Sequence, residues 1–143
     1  MFPVIFMTSM KKLPILDTNL VVRFLTRDSV EQAGKVRKLL GNSSKASLEL
    51  SDLILAEIIY VLLSVYKLSK EDVVDKVSLL VELKSIKCNK KLIRKALDLY
   101  KNNAISFVDA YLGATVLVGR NKALYTFDRK LLKILGGCAV EPE

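Results

Sequence analysis

The chain contains no histidine, and this absence excludes most of the catalytic sites that proteins build around an imidazole ring. Ser-His-Asp and Cys-His nucleophiles, histidine acid–base catalysis and histidine metal sites are all ruled out. Any hydrolytic chemistry must therefore use carboxylates. The two cysteines, Cys88 and Cys138, lie far apart and lack the spacing of a metal site, so we predict reduced thiols in a cytoplasmic protein.

The sequence also lacks a proline-, glycine- or serine-rich linker and has no internal repeat, so we predict one domain over residues 1–143. Residues 1–12 precede the first predicted strand as an N-terminal extension. Their apolar patch is too short to cross a bilayer and their charges follow it, which argues against a signal peptide or membrane anchor. We hypothesise that translation starts at Met7 or Met10.

What the chain does contain is an excess of positive charge. Lysine and arginine number 23 against 15 acidic residues, which gives a formal net charge of +8. A basic balance of this size favours a polyanionic partner, with nucleic acid ahead of a membrane surface. A solvated, lysine-rich surface would give the same count.

Short strand patterns alternate with helical patterns along the whole chain. The strand candidates are residues 13–16, 47–50, 85–88, 123–127 and 138–140, and Ser69, Asn89 and Ser106 are predicted helix N-caps. This alternation predicts the α/β class, with a three-layer α/β/α arrangement and a mostly parallel sheet of about five strands. Ligands of such sheets bind at the carboxyl ends of the strands.

Glu57 is the one charged residue after the first position of the apolar stretch 52–66. A helix that is apolar on nearly every face is typically buried, and an unpaired buried carboxylate is costly. We therefore expect a buried Glu57 that is compensated by a cation, a hydrogen-bond network or a raised pKa. The alternative is that Glu57 lies exposed on a narrow polar strip.

Three aspartates fall where the predicted strands would gather them with Glu57. Asp17 and Asp128 directly follow strand patterns, and Asp109 lies in the first turn of a helix. Each also has a structural explanation, because Asp17 and Asp128 could be N-caps and Asp109 could form a capping pair with Ser106. Four converging carboxylates would repel one another unless a hard cation such as Mg²⁺ or Mn²⁺ bound them, and such a site suits phosphodiester hydrolysis.

Four acidic segments in this order resemble the PIN domain, and within it the VapC-type toxins of toxin-antitoxin pairs. The segments are ILDTNLVVRFL, LSDLILAEIIYVL, ISFVDAYLGA and LYTFDRKL, and the resemblance extends from about residue 13 to 140. Gly113 stands where the family more usually has alanine.

The resemblance implies a Mg²⁺- or Mn²⁺-dependent endoribonuclease. Its catalytic and metal-binding residues would be Asp17, Glu57, Asp109 and Asp128, with Asn19 and Thr126 as supporting polar residues. It further implies an RNA substrate, a small antitoxin protein as partner and a homodimer. The basic residues that could contact RNA include Arg23, Lys87, Lys90, Lys91, Arg129 and Lys130.

Other classes of protein fit parts of the same pattern. A PIN nuclease of RNA maturation would carry the same residues without being a toxin, and a catalytically inactive module could bind RNA or protein on the same fold. A phosphatase of the haloacid dehalogenase type also begins with a strand followed by aspartate. Its second aspartate would be expected where this chain has Asn19.

Overall fold

The computed structural model of the protein describes residues 12–42 and 44–143. The hypothesised start sites, Met7 and Met10, lie outside the described residues. The elements in chain order are α1 (Thr18–Thr26), α2 (Val30–Gly41), β1 (Leu48–Glu49), α3 (Asp52–Ser64), α4 (Lys70–Val81), β2 (Ile86–Lys87), α5 (Lys90–Asn102), α6 (Phe107–Val118), β3 (Leu124–Tyr125), α7 (Arg129–Leu135), a 3₁₀ turn (Gly136–Cys138) and β4 (Ala139–Val140).

The helices begin at the capping residues that the sequence predicts. The side chains of Ser69, Asn89 and Ser106 each accept a hydrogen bond from a backbone N–H in the first turn of α4, α5 and α6, at 3.1, 3.3 and 3.1 Å. These bonds satisfy donors that would otherwise lack a partner at a helix start. The three predicted caps are therefore confirmed.

The strands pair in parallel, which confirms the α/β class. Strand β1 pairs with β2, and β3 pairs with β4, while Ile15 forms a single parallel bridge to Glu49. Within the described residues these pairs remain two separate two-stranded sheets. The prediction of one sheet of about five strands is thus not confirmed.

One side of each strand pair is buried and the other is exposed. Leu48 and Ile86 pair with each other and are buried, whereas Ile15, Tyr125 and Val140 are exposed. Paired residues in a parallel ladder point to the same side of the sheet, so the exposed residues mark a side that no helix covers at these positions. The predicted helical layer on both faces is not seen there.

The main core lies between the buried side of the first strand pair and the helices. Helix α5 packs along α6, where Tyr100 meets Phe107 edge-on with ring centroids 5.9 Å apart. Ser85, which is buried, donates a hydrogen bond of 2.7 Å to the Leu40 carbonyl and so fixes the end of α2 beside β2. None of the described helices is long and apolar enough to cross a membrane.

The two cysteines are free thiols, as predicted. Burial raises the pKa of the Cys88 thiol. A raised pKa keeps the sulfur protonated and poorly nucleophilic at neutral pH. Cys88 therefore has the properties of a structural residue.

Candidate active site

Asp109 and Asp128 line one cleft at the start of α6 and α7. The cleft has a volume of about 490 Å³, and Ser106, Arg129 and Lys130 also line it. The structure thus brings together two of the four predicted site carboxylates. It places two cations beside them.

Asp128 is held by the turn that leads from β3 into α7. Its Oδ1 accepts a hydrogen bond of 3.0 Å from the Leu131 N–H, and its own N–H donates to the Thr126 hydroxyl at 3.0 Å. The Thr126 N–H in turn donates to the Val140 carbonyl at 3.1 Å. Thr126 therefore fixes the backbone of Asp128 to the end of β4.

Asp109 is held differently, because its backbone and not its side chain takes part in the cap. The Asp109 N–H donates to the Ser106 hydroxyl at 3.1 Å. Its carboxylate forms no hydrogen bond or ion pair with the described residues. The half-buried carboxylate of Asp109 is consequently available to bind a ligand in the cleft.

Asp17 lies two residues after the bridge residue Ile15 and caps α1. Its Oδ1 accepts a hydrogen bond of 2.8 Å from the Thr18 N–H. The capping alternative is therefore observed for Asp17 as for Asp128, yet in each case it occupies one carboxylate oxygen and leaves the other free.

The neighbouring Thr18 hydroxyl is buried without a hydrogen-bond partner among the described residues, so a polar ligand at this end of α1 would be favourable.

Glu57 is exposed on α3, so the expectation of a buried, compensated carboxylate is wrong. The residues around it explain why. Leu53 and Tyr60, four before and three after Glu57, are themselves exposed, whereas Leu55, Ile58 and Ile59 are buried. Helix α3 therefore keeps an open face that includes apolar side chains, and hydrophobicity alone overstated its burial.

Carboxylates are suitable ligands for a hard divalent cation, but the structure brings only some of the predicted ones close together. No three histidine, cysteine or acidic side chains of the described residues lie close enough to hold a metal ion together. Asp17 and Glu57 do not line the cleft of Asp109 and Asp128. Mg²⁺, however, commonly binds through one or two carboxylates with water and substrate phosphate as its other ligands. The Asp109–Asp128 pair fits that mode.

A contact that the sequence analysis missed joins the helices of Glu57 and Asp109. The Tyr111 hydroxyl of α6 donates a hydrogen bond to Oδ2 of Asp52 in the first turn of α3. This bond, together with burial, raises the pKa of Tyr111 to about 12. Both residues stand inside the acidic segments, but sequence spacing gives no sign that they meet.

Two lysines hold the turn between α5 and α6, a structural role that the sequence does not indicate. The Lys70 ammonium donates to the Tyr100 and Asn103 carbonyls at 2.8 and 2.9 Å and lies 4.2 Å from the centre of the Tyr100 ring. The Lys130 ammonium donates to the Ala104 carbonyl at 2.8 Å. Lys130 thereby links the start of α7 to the turn that precedes Asp109.

Some of the candidate RNA-binding residues already contact other residues of the chain, and others do not. Arg23 pairs with Asp28 at 3.7 Å, and Lys90 donates to the Leu83 carbonyl at 3.3 Å. Arg129 lines the carboxylate cleft and forms no ion pair or hydrogen bond within the described part of the chain. Arg129 is therefore well placed for an anionic ligand.

Asn19 lies away from that cleft. It lines a groove between α1 and α2 together with Arg23, Gln32 and Lys35. The described contacts give no hydrogen bond between Asn19 and a site carboxylate. Its predicted supporting role stays a prediction.

Comparison with protein families gives a match over most of the chain. The family model for the PIN domain matches residues 15–136, which is most of the chain and includes all four acidic segments. Comparisons with curated proteins and with solved structures give no significant match.

Proposed function

The chain belongs to the PIN domain family, and we infer that it is a metal-dependent endoribonuclease that hydrolyses RNA phosphodiester bonds. PIN domains are generally metal-dependent nucleases. The observation that carries the proposal is the shared cleft, where the Asp109 and Asp128 carboxylates lie beside Arg129 and Lys130. Carboxylates suit the metal and the cations suit the phosphate of the substrate.

The proposed roles follow from the contacts of each side chain. Mg²⁺ or Mn²⁺, when bound, would activate water and neutralise charge that develops on the phosphate. Asp109 and Asp128 would hold the ion, and Asp17 and Glu57 are proposed to complete the acidic set. Arg129 would bind the phosphate, which orients the scissile bond.

Cleavage of cellular RNA by purified protein tests this function. With Mn²⁺ present, Asp109→Asn and Asp128→Asn should each reduce the rate by about 100-fold or more, because each removes charge from the ion's ligands but keeps the shape of the side chain. Asp17→Asn and Glu57→Gln should also lose activity. Glu71→Gln, an exposed carboxylate on α4, is the matched control and should cleave normally.

The outcome that contradicts the proposal is specific. If Asp109→Asn and Asp128→Asn both cleave RNA at the wild-type rate, the cleft is not the active site. Cleavage that persists in EDTA would indicate a contaminating ribonuclease that needs no metal. Combined substitutions should lose little more than single ones, since the residues act as a unit.

Within this activity we propose that the protein is the cytoplasmic toxin of a VapBC-type pair. A groove of about 410 Å³ lies between α1, α2 and α4, where Arg27, Arg37 and Lys76 surround apolar side chains that include the exposed Leu79. Such a basic rim around an apolar floor suits an acidic antitoxin segment. Copurification of a small acidic protein from the native source would support this role.

A homodimer is part of the same proposal. Leu53 and Ala56 of α3 and Val108 of α6 line an apolar groove of about 300 Å³, and Leu53 and Val108 are exposed. Exposed apolar surface of this kind favours association. Light scattering that shows a monomer at micromolar concentration would contradict the dimer alone.

Two other functions remain to be distinguished from the toxin by experiment. A maturation nuclease would cut one defined RNA precursor and would not arrest growth when expressed without a partner. An inactive module would bind RNA with a steep dependence on salt and would cleave none.

A further inference from the structure

The exposed aromatic side chains of the described chain are concentrated near the acidic residues. Tyr60, Tyr125 and Phe127 are 66, 74 and 73% exposed, and the other described tyrosines and phenylalanines are buried or half-buried. Tyr60 lies three residues after Glu57, on the same side of α3. Tyr125 and Phe127 lie three and one residues before Asp128.

Phe127 has no structural explanation in the described fold. It has no polar group that would favour contact with water, and it belongs to neither hydrophobic cluster of the core. Neither Phe127 nor Tyr125 contacts another aromatic ring or a cation within the described residues. Two large rings are thus presented to solvent within three residues of Asp128 in the chain.

We propose that Phe127 and Tyr125 form a stacking surface for unpaired bases of single-stranded RNA. The inference rests on the proposed nuclease function and adds to it the residues of this chain that would bind unpaired bases. Aromatic rings bind bases through their faces with little regard to sequence, while nearby cations follow the phosphates. Arg129, two residues after Phe127, supplies such a cation at the cleft.

Charge complementarity identifies the occupant as RNA. The net charge of the chain is +8, and two cationic residues, Arg129 and Lys130, follow Phe127 two and three positions later in the chain. A duplex would not use the rings, because its bases are already stacked inside the helix. The surface therefore selects single-stranded segments, loops or ends.

Binding of short fluorescein-labelled oligoadenylate, measured by anisotropy in EDTA to prevent cleavage, tests the surface. Phe127→Leu keeps an apolar side chain but removes the ring, so its dissociation constant should rise about tenfold. Val30→Ala is the control, because Val30 is an exposed apolar residue at the start of α2 and belongs to neither the carboxylate cleft nor a proposed binding groove. It should bind as wild type does.

Two further probes separate base stacking from phosphate binding. An oligomer of ribose phosphate without bases should bind Phe127→Leu and wild type equally, and so should a duplex. The slope of affinity against salt should not change, since the variant removes no phosphate contact. A change in that slope, or an equal loss for the oligomer without bases, would overturn the assignment.

A fluorescence measurement reports the contact directly. The chain has no tryptophan, so Phe127→Trp introduces a single one at the proposed surface. Its emission should be quenched when oligoadenylate binds and should not change with the oligomer that lacks bases. Unchanged emission at saturating oligoadenylate would show that no base contacts this position.

The failure of this inference can be told apart from failure of the nuclease function. Cleavage that depends on Asp109 and Asp128, together with unchanged binding by Phe127→Leu, refutes the stacking surface alone. Unchanged RNA binding by a Phe127→Leu variant that dissociates from dimer to monomer would assign the rings to an interface between copies, and would likewise refute it. If wild type neither cleaves nor binds RNA, both the nuclease function and the stacking surface are refuted.

Discussion

Tyr111→Phe removes one hydroxyl from the tie between α3 and α6 and should destabilise the protein by about 1–2 kcal/mol. A hydrogen bond to a charged group is worth about 1.5–3 kcal/mol, and we take values around the lower end of this range because Asp52 and Tyr111 are only half-buried. Water can then replace part of the lost contact at the Asp52 carboxylate. For a chain of this length the melting temperature should fall by about 3–6 °C.

Urea unfolding followed by circular dichroism measures the change. Tyr60→Phe is the matched control, because it removes the same hydroxyl from an exposed tyrosine and should shift stability by less than about 0.5 kcal/mol. A double-mutant cycle with Asp52→Asn isolates the pair. Once Asp52 has been replaced, Tyr111→Phe should cost clearly less than it does alone.

The dependence on pH provides a second and independent test. The pKa of Tyr111 is raised from its ordinary value near 10 to about 12, so folding favours the neutral phenol that donates to Asp52. Its contribution to stability is therefore complete below about pH 10 and is lost as the pH rises through about 12. The difference between wild type and Tyr111→Phe should shrink over that interval. Equal stability of the two proteins at neutral pH, or a difference that stays constant at high pH, would refute the stabilising role of the hydrogen bond between Tyr111 and Asp52.

Three further changes test other parts of the structure by thermal or urea unfolding. Lys70→Met should destabilise the fold by about 1–3 kcal/mol, because it removes the ammonium that binds two carbonyls at the end of α5. Ser85→Ala should cost about 1–3 kcal/mol, since the Leu40 carbonyl loses the hydroxyl that it accepts from. Mn²⁺ at a hundredfold excess over its Kd should stabilise wild type by about 2.7 kcal/mol, and Asp128→Asn should lose this gain. Lys84→Met and Ser44→Ala, which change exposed residues, are the controls for Lys70→Met and Ser85→Ala. A control that destabilises the protein as much as its test variant does would contradict that prediction. Equal stabilisation of Asp128→Asn and wild type by Mn²⁺ would contradict the third.

The boundaries of the helices could be predicted closely because capping is a local interaction. Ser69, Asn89 and Ser106 each bond to a backbone N–H three residues later, so the signal and the structure that it produces lie within one turn. The buried positions of α4 were predictable for a similar reason. Val73 and Val77 recur at the helical period and both lie in the core.

The exposure of Glu57 could not be predicted in the same way. Hydrophobicity along α3 indicates that much of the helix is buried, but it does not say which face its neighbours cover. Leu55 and Ile59 contact the core, while Leu53 and Tyr60 on the side of Glu57 are open to solvent. The number of elements that pack on a helix is a property of the whole fold.

The sequence alone determined the α/β class, the order of the elements, the helix caps and the acidic segments that place the chain in the PIN domain family, because each of these depends on patterns within short stretches. Only the tertiary structure decided which carboxylates meet. Asp109 and Asp128 share a cleft because α6 and α7 start side by side, where Lys130 binds the Ala104 carbonyl. Tyr111 reaches Asp52 across 59 residues of chain, and no periodicity within either segment encodes that contact.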